Sequence, residues 1–123
     1  MGKFTVKETK SGVKFDLRAT NGQVIASSEI YSSEAACMNG IESVRKNASA
    51  ANLEDQTVEG FVTEKNPKFE VYKDKAGEFR FRLKARNGEI IAVSEGYVQK
   101  ISCMNGIESV RNNAPDATVE KAE

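Results

Sequence analysis

The residues in this sequence best placed to do chemistry are a row of cations. Arg80, Arg82, Lys84 and Arg86 alternate with Phe79, Phe81, Leu83 and Ala85. Successive side chains of a strand point to opposite faces, so the spacing predicts one apolar face and one face carrying all four charges. Tyr72, on the neighbouring strand, has the same outward parity. A basic sheet face with an aromatic could hold single-stranded nucleic acid, with phosphates on the cations and a base stacked on the ring. It could equally hold an acidic protein. The competing reading is a solubilising face whose cations pair across strands with Glu70, Asp74 and Glu89.

Other chemistries find less support. There is no histidine, which removes the most versatile acid–base at neutral pH and the commonest transition-metal ligand. Cys37 and Cys103 fall on apolar helical stripes and read as small core residues. Two thiols without histidine do not make a standard zinc site. Glu29 with Tyr31, and Glu95 with Tyr97, repeat a Ser-Glu-x-Tyr run that could serve proton transfer. The favoured reading is an exposed acid and an amphipathic Tyr closing the sheet-to-helix corner. No catalytic residue, cofactor or metal is assigned.

Composition sets the class. Eighteen basic and eighteen acidic residues cancel in a chain of 123, so no global field draws the protein to nucleic acid or membrane. The charge is uneven, however. Residues 65–86 hold eight basic and three acidic residues, a local excess of +5. No apolar run reaches membrane-spanning length, and Met1-Gly2-Lys3-Phe4 leads into a strand pattern without a signal peptide. The expectation is a cytoplasmic protein.

The elements that must position these residues are set by a repeat. Cys37 to Arg45 recurs letter for letter as Cys103 to Arg111, at an offset of 66. From Ala19 to Ala48, 19 of 30 aligned positions are identical, which makes internal duplication the first fact to read. Before Phe15 the offset falls to 65, so the second copy has gained one residue in its first turn. Each copy reads as two alternating strands, an Asn-Gly turn and a return strand. Asn21-Gly22 and Asn87-Gly88 predict two-residue type I′ turns, setting Ala19 opposite Val24 and Leu17 opposite Ala26. A helix follows, over about 33–47 and 99–113, with Ser32-Ser33 offering an N-cap in the first copy. Cys37, Ile41, Val44 and Ala48 form its buried stripe. Gly40 and Gly106 cost about 1 kcal/mol against Ala in mid-helix, which points to close contact with the sheet. Thr57-Val58-Glu59 and Thr118-Val119-Glu120 are expected as short last strands, with extra residues at 50–55 preceding the first of these. The row equivalent to Arg80–Arg86 reads Lys14, Asp16, Arg18, Thr20 in the first copy, so a basic site would not be symmetrical.

The run Asn-Gly-x-Ile/Val-Ile-Ala-x-Ser-Glu-x-Tyr, followed by Cys-x-Asn-Gly-Ile-Glu-Ser-Val, resembles the YegP-like family of small bacterial proteins. So does Asn66 to Tyr72 through Phe79 to Ala85. The resemblance spans both copies. It implies βββαβ units, paired in tandem or as dimers of single units, with terminal strands exchanged between them, and it implies no activity. The expected architecture is α+β: one domain over 1–123 built from repeats at 3–64 and 65–121. These form one mostly antiparallel sheet with two helices on one face and a pseudo-twofold axis. The expected function is a monomeric, non-catalytic interaction module that meets a polyanion or acidic partner through Arg80, Arg82, Lys84, Arg86 and Tyr72. The alternative is a structural or stress-related protein with no specific ligand.

Overall fold

Alternating apolar and polar residues form eight strands, and two amphipathic stretches form helices. The computed structural model describes residues 2–121. In chain order the elements are β1 (Lys3–Thr9), β2 (Gly12–Arg18), β3 (Val24–Ser27), α1 (Glu34–Ala48), β4 (Asn52–Asp55), β5 (Lys68–Lys73), β6 (Phe79–Lys84), β7 (Ile90–Val93), α2 (Lys100–Asn113) and β8 (Thr118–Lys121). All eight strands join one sheet in the order β4-β5-β6-β7-β3-β2-β1-β8. The expected α+β architecture of two βββαβ units is what forms.

The units interlock. β4 closes the first unit yet pairs in parallel with β5 of the second, and β8 pairs in parallel with β1 of the first. The seam between the units is the antiparallel contact of Ser27 with Val93. Each helix packs on its own unit's second strand and on the other unit's third: α1 on β2 and β7, α2 on β6 and β3. Arg111 of α2 donates to the Ala48 and Ser49 carbonyls at the end of α1.

One apolar core lies between the sheet and the helices. Phe4, Phe15, Leu17, Phe69, Phe81 and Leu83 are fully enclosed beneath Cys37, Ile41 and Val44 of α1 and Cys103, Ile107 and Val110 of α2. Each enclosed aromatic or aliphatic side chain contributes about 1.5–3 kcal/mol. Phe4 meets Phe15 edge-on at 5.6 Å, and Phe69 meets Phe81 likewise at 5.8 Å. Gly40 is required by this packing. A Cβ there would strike the Tyr31 hydroxyl and lie 3.2 Å from Phe15 Cε2; Gly106 stands in the same relation to Tyr97 and Phe81. Ser33 caps α1, its Oγ accepting from the Ala36 N–H at 3.1 Å.

Three local expectations are corrected. The Asn-Gly turns are not type I′. Gly22 and Gly88 have φ of 87°, but among the described residues no type other than glycine has positive φ. Gly22 N–H donates to Ala19 O, Ala19 N–H to Gln23 O, and Asn21 Oδ1 accepts from Gln23 N–H. This is a three-residue loop closed by a left-handed glycine, and Asn21 serves it through its side chain. The register then shifts: Leu17 faces Ala26 as expected, but Arg18, not Ala19, faces Val24. The bulge lets both Ile25 and Ala26 turn toward the core.

The last strand of the first unit is Asn52–Asp55, not Thr57–Glu59. The offset of 66 continues to Asn52 and Thr118, so the extra residues follow the strand. They form the return path. Because β4 and β5 are parallel, the chain must travel back along the sheet between them. Residues 56–67 do so over the face away from the helices: the Glu64 N–H donates to Glu54 Oε1 and Asn52 Nδ2 donates to the Lys65 carbonyl.

Candidate interaction surface

The expected basic row faces away from the helices along β6, but it is a closed ionic network. Register places Lys68 beside Lys84, Glu70 beside Arg82 and Tyr72 beside Arg80. Arg82 Nε bonds Glu70 at 2.6 Å, Lys84 Nζ lies 3.3 Å from the same carboxylate, and Arg80 Nε bonds Asp74 at 2.6 Å. Arg80 also donates to the Ser94 carbonyl. The Arg82 guanidinium lies 4.5 Å over the Tyr72 ring, so that face of Tyr72 already carries a stacked cation.

The return segment buries the inner part of this network. Lys68 Nζ bonds Glu54 at 2.7 Å and approaches Glu70 at 3.2 Å, with all three side chains less than a tenth exposed. Burial alone would raise the Glu54 carboxyl, but hydrogen bonds from Gln56, Lys68 and the Glu64 N–H hold it at about 2. Burial also works against Glu70, and bonds from Arg82 and Lys68 overcome it and hold that carboxyl below its usual range. Burial would lower the Lys68 ammonium, and its two carboxylates raise it instead. Nothing in the sequence flagged Glu54 and Lys68, because their pairing depends on a strand placed by the fold.

Arg86 departs from the row. β6 ends at Lys84, and Arg86 stands in the following turn. It lines a groove of about 530 Å³ with Ser43, Lys46, Asn47, Pro67 and Asn87, between the C-terminal half of α1 and the β6–β7 hairpin. Arg86 and Lys46 are exposed, and neither forms an ion pair among the described residues. The repeat alignment held the signal for Lys46. The equivalent residue is Asn112, just as Thr20 stands for Arg86.

The remaining candidates are structural or dispersed. Cys37 and Cys103 are free and buried in the core. Burial raises both thiols, Cys103 to about 11, which disfavours the reactive thiolate. Tyr31 shares a pocket of about 320 Å³ with Glu89 of the other unit, not with its neighbour Glu29. Among the described residues no three acidic, thiol or imidazole groups gather as a metal would require. Among the described residues no helix is long and apolar enough to cross a membrane.

The model of the family described as Domain of unknown function (DUF1508) matches this chain twice, at residues 10–55 and 74–120. The chain belongs to the DUF1508 family. The two matches correspond to the two interlocked units, and the YegP-like resemblance holds. UPF0339 protein MS1092 of Mannheimia succiniciproducens is 40% identical over 121 residues, covering 98% of this chain and 94% of that one. The solution structure of yegP from E. coli, a protein of unknown function, matches with a TM-score of 0.80 at 31% identity, over 98% of this chain and 91% of that chain. A UPF0339 protein of Treponema denticola is 69% identical over 52 residues, which are 42% of this chain and 90% of that protein. That relative is about half the length of this chain. These names carry no activity, ligand or partner.

Proposed function

We propose that this DUF1508 chain is a non-catalytic interaction module, monomeric and cytoplasmic, that binds an acidic protein. The contact centres on Arg86 with Lys46, not on the full row of Arg80, Arg82, Lys84 and Arg86 with Tyr72. The observation that carries this reading is the division of labour among the cations. Arg80, Arg82 and Lys84 are bonded to Asp74 and Glu70, while Arg86 and Lys46 share a groove without a carboxylate partner among the described residues. A cation already paired gains little from a second anion, whereas an unpaired exposed one steers and holds an acidic partner. The lining of this groove includes no aromatic side chain, and Tyr72 is occupied by Arg82. Base stacking therefore has no platform beside the two cations, the nearest aromatic, Tyr31, lying in the adjoining pocket, which favours a protein over single-stranded nucleic acid.

The test is affinity capture from native lysate at low and moderate salt, using the wild-type chain and the Lys46→Gln/Arg86→Gln variant. The expected result is a partner retained at low salt, weakened at moderate salt and lost with the variant. Capture that ignores both substitutions would leave the structural reading, in which the charges only brace and solubilise the sheet, as the better account.

A further inference from the structure

The Arg86 groove does not end at Arg86. It adjoins the pocket that holds Tyr31, Asn39 and Glu89, and the two share Ser43, Ala85 and Asn87. Together they make one channel of mixed polar and apolar lining along the flank of α1, from Lys46 and Arg86 at one end to Glu89 and Tyr31 at the other. We infer that this channel holds an extended acidic peptide segment of the partner, an inference that rests on the reading above.

Three features argue for a peptide. First, the channel carries carboxamides along its length. The Asn39 side chain makes no hydrogen bond among the described residues. Asn87 uses Oδ1 to accept from the Glu89 N–H, leaving its amide hydrogens uncommitted. Buried Asn47 commits Nδ2 to Ser43, leaving Oδ1 to accept. A carboxamide offers one acceptor and two donors, the complement of a peptide group's own pair. Second, the charges are polarised, with two cations at one end and Glu89 at the other. Carboxylate side chains fit the first end, and a peptide N–H or terminal ammonium fits the second.

Third, the pseudo-twofold axis supplies an internal control. The channel's uncharged polar residues recur in the other unit, where Asn39, Ser43, Asn87 and Tyr31 correspond to Asn105, Ser109, Asn21 and Tyr97. Its three charged residues do not: Lys46, Arg86 and Glu89 correspond to Asn112, Thr20 and Gln23. Ala50 and Pro67 of the lining correspond to Asp116 and Gly2, so the other side carries an acid where this one has none and lacks both cations. An acidic ligand is therefore matched at one channel only.

The experiment selects binders from a display library of nonapeptides and measures the enriched sequences by fluorescence anisotropy. Enriched peptides are expected to carry at least two acidic residues. They should weaken about tenfold or more on the Lys46→Gln/Arg86→Gln variant and weaken again on Asn39→Ala. Unchanged thermal unfolding of these variants confirms that folding is intact. Transplanting the charges as Thr20→Arg, Gln23→Glu and Asn112→Lys should raise the stoichiometry from one peptide to two. Absence of enrichment, or enriched peptides that ignore Asn39→Ala and the transplant, overturns the inference. Oligothymidylate separates the two levels. If it binds in a manner dependent on Lys46 and Arg86 while peptides do not, the cationic contact stands and the peptide channel falls. If nothing depends on those two residues, both fall.

Discussion

Lys68 Nζ lies 2.7 Å from Glu54 Oε1 across two parallel strands drawn from different units, and both side chains are buried. The pair forms because the return segment covers it, and it ties β4 to β5 where the units exchange strands. Removing one partner leaves an uncompensated buried charge. Lys68→Met is expected to destabilise the fold by about 3–5 kcal/mol. Replacing Glu54 and Lys68 together with apolar residues should cost less than the worse single change. Urea unfolding of the three variants measures this, and equal costs for the single and double changes would contradict it.

The same carboxylates set the acid limit of the fold. Glu54 titrates at about 2 in the folded chain against 4.5 ordinarily, and Glu70, Asp55 and Asp74 are also held low. A depressed folded value means the unfolded chain binds protons first, so these groups stabilise above the ordinary value and lose that contribution as pH falls toward the folded one. The melting temperature should therefore hold steady down to about pH 4.5 and then decline toward pH 2. Glu54→Gln should start lower and fall less. A flat profile over that window would count against the ionic network.

Basic residues that look alike in the sequence should behave differently. Arg82→Gln strips the buried Glu70 carboxylate of a 2.6 Å bond and should cost about 1–2 kcal/mol, the figure being reduced by the partial exposure of the arginine. Arg86→Gln touches an exposed, unpaired cation and should stay within about 0.5 kcal/mol. Denaturant midpoints decide between this and a row of equivalent charges.

Gly40 and Gly88 should both resist substitution, for different reasons. A Cβ on Gly40 collides with the Tyr31 hydroxyl, so Gly40→Ala should cost about 1–3 kcal/mol, and Tyr31→Phe should recover part of it. Gly88 has a left-handed backbone with φ of 87°, so Gly88→Val should cost more than about 1 kcal/mol with no rescue from a neighbouring side chain. Thermal unfolding of the two series distinguishes a clash from backbone strain.

Because β4 pairs with β5 and β8 with β1, neither unit is complete alone. The full chain is expected to be a monomer by light scattering, and each unit expressed separately a dimer or an aggregate. A well-folded single unit that stays monomeric would show that strand exchange is dispensable.

Much of this architecture is local and was therefore legible in the residues. The duplicated Cys37–Arg45 and Cys103–Arg111 segments, the alternating strands, the Ser33 cap and the mid-helix glycines follow from periodicity and short-range sterics. They place each element and its buried face. What only the tertiary structure decided is which charges meet. Asn52–Asp55 became a strand because β5 of the other unit offered a parallel edge, against the stronger β-propensity of Thr57-Val58-Glu59. That placement sent residues 56–67 across the outer face and buried Lys68 with Glu54. The basic row, by contrast, is closed by Glu70 on adjacent β5 and Asp74 just past its end, partners that strand parity in the sequence already offered. Arg86 left the row because the loop closed by Gly88 ends β6 one residue pair early, and it met Lys46 only because α1 crosses onto the other unit's β7. An ion pair depends on distances between residues far apart in the chain, and side-chain periodicity within one strand contains no information about that distance.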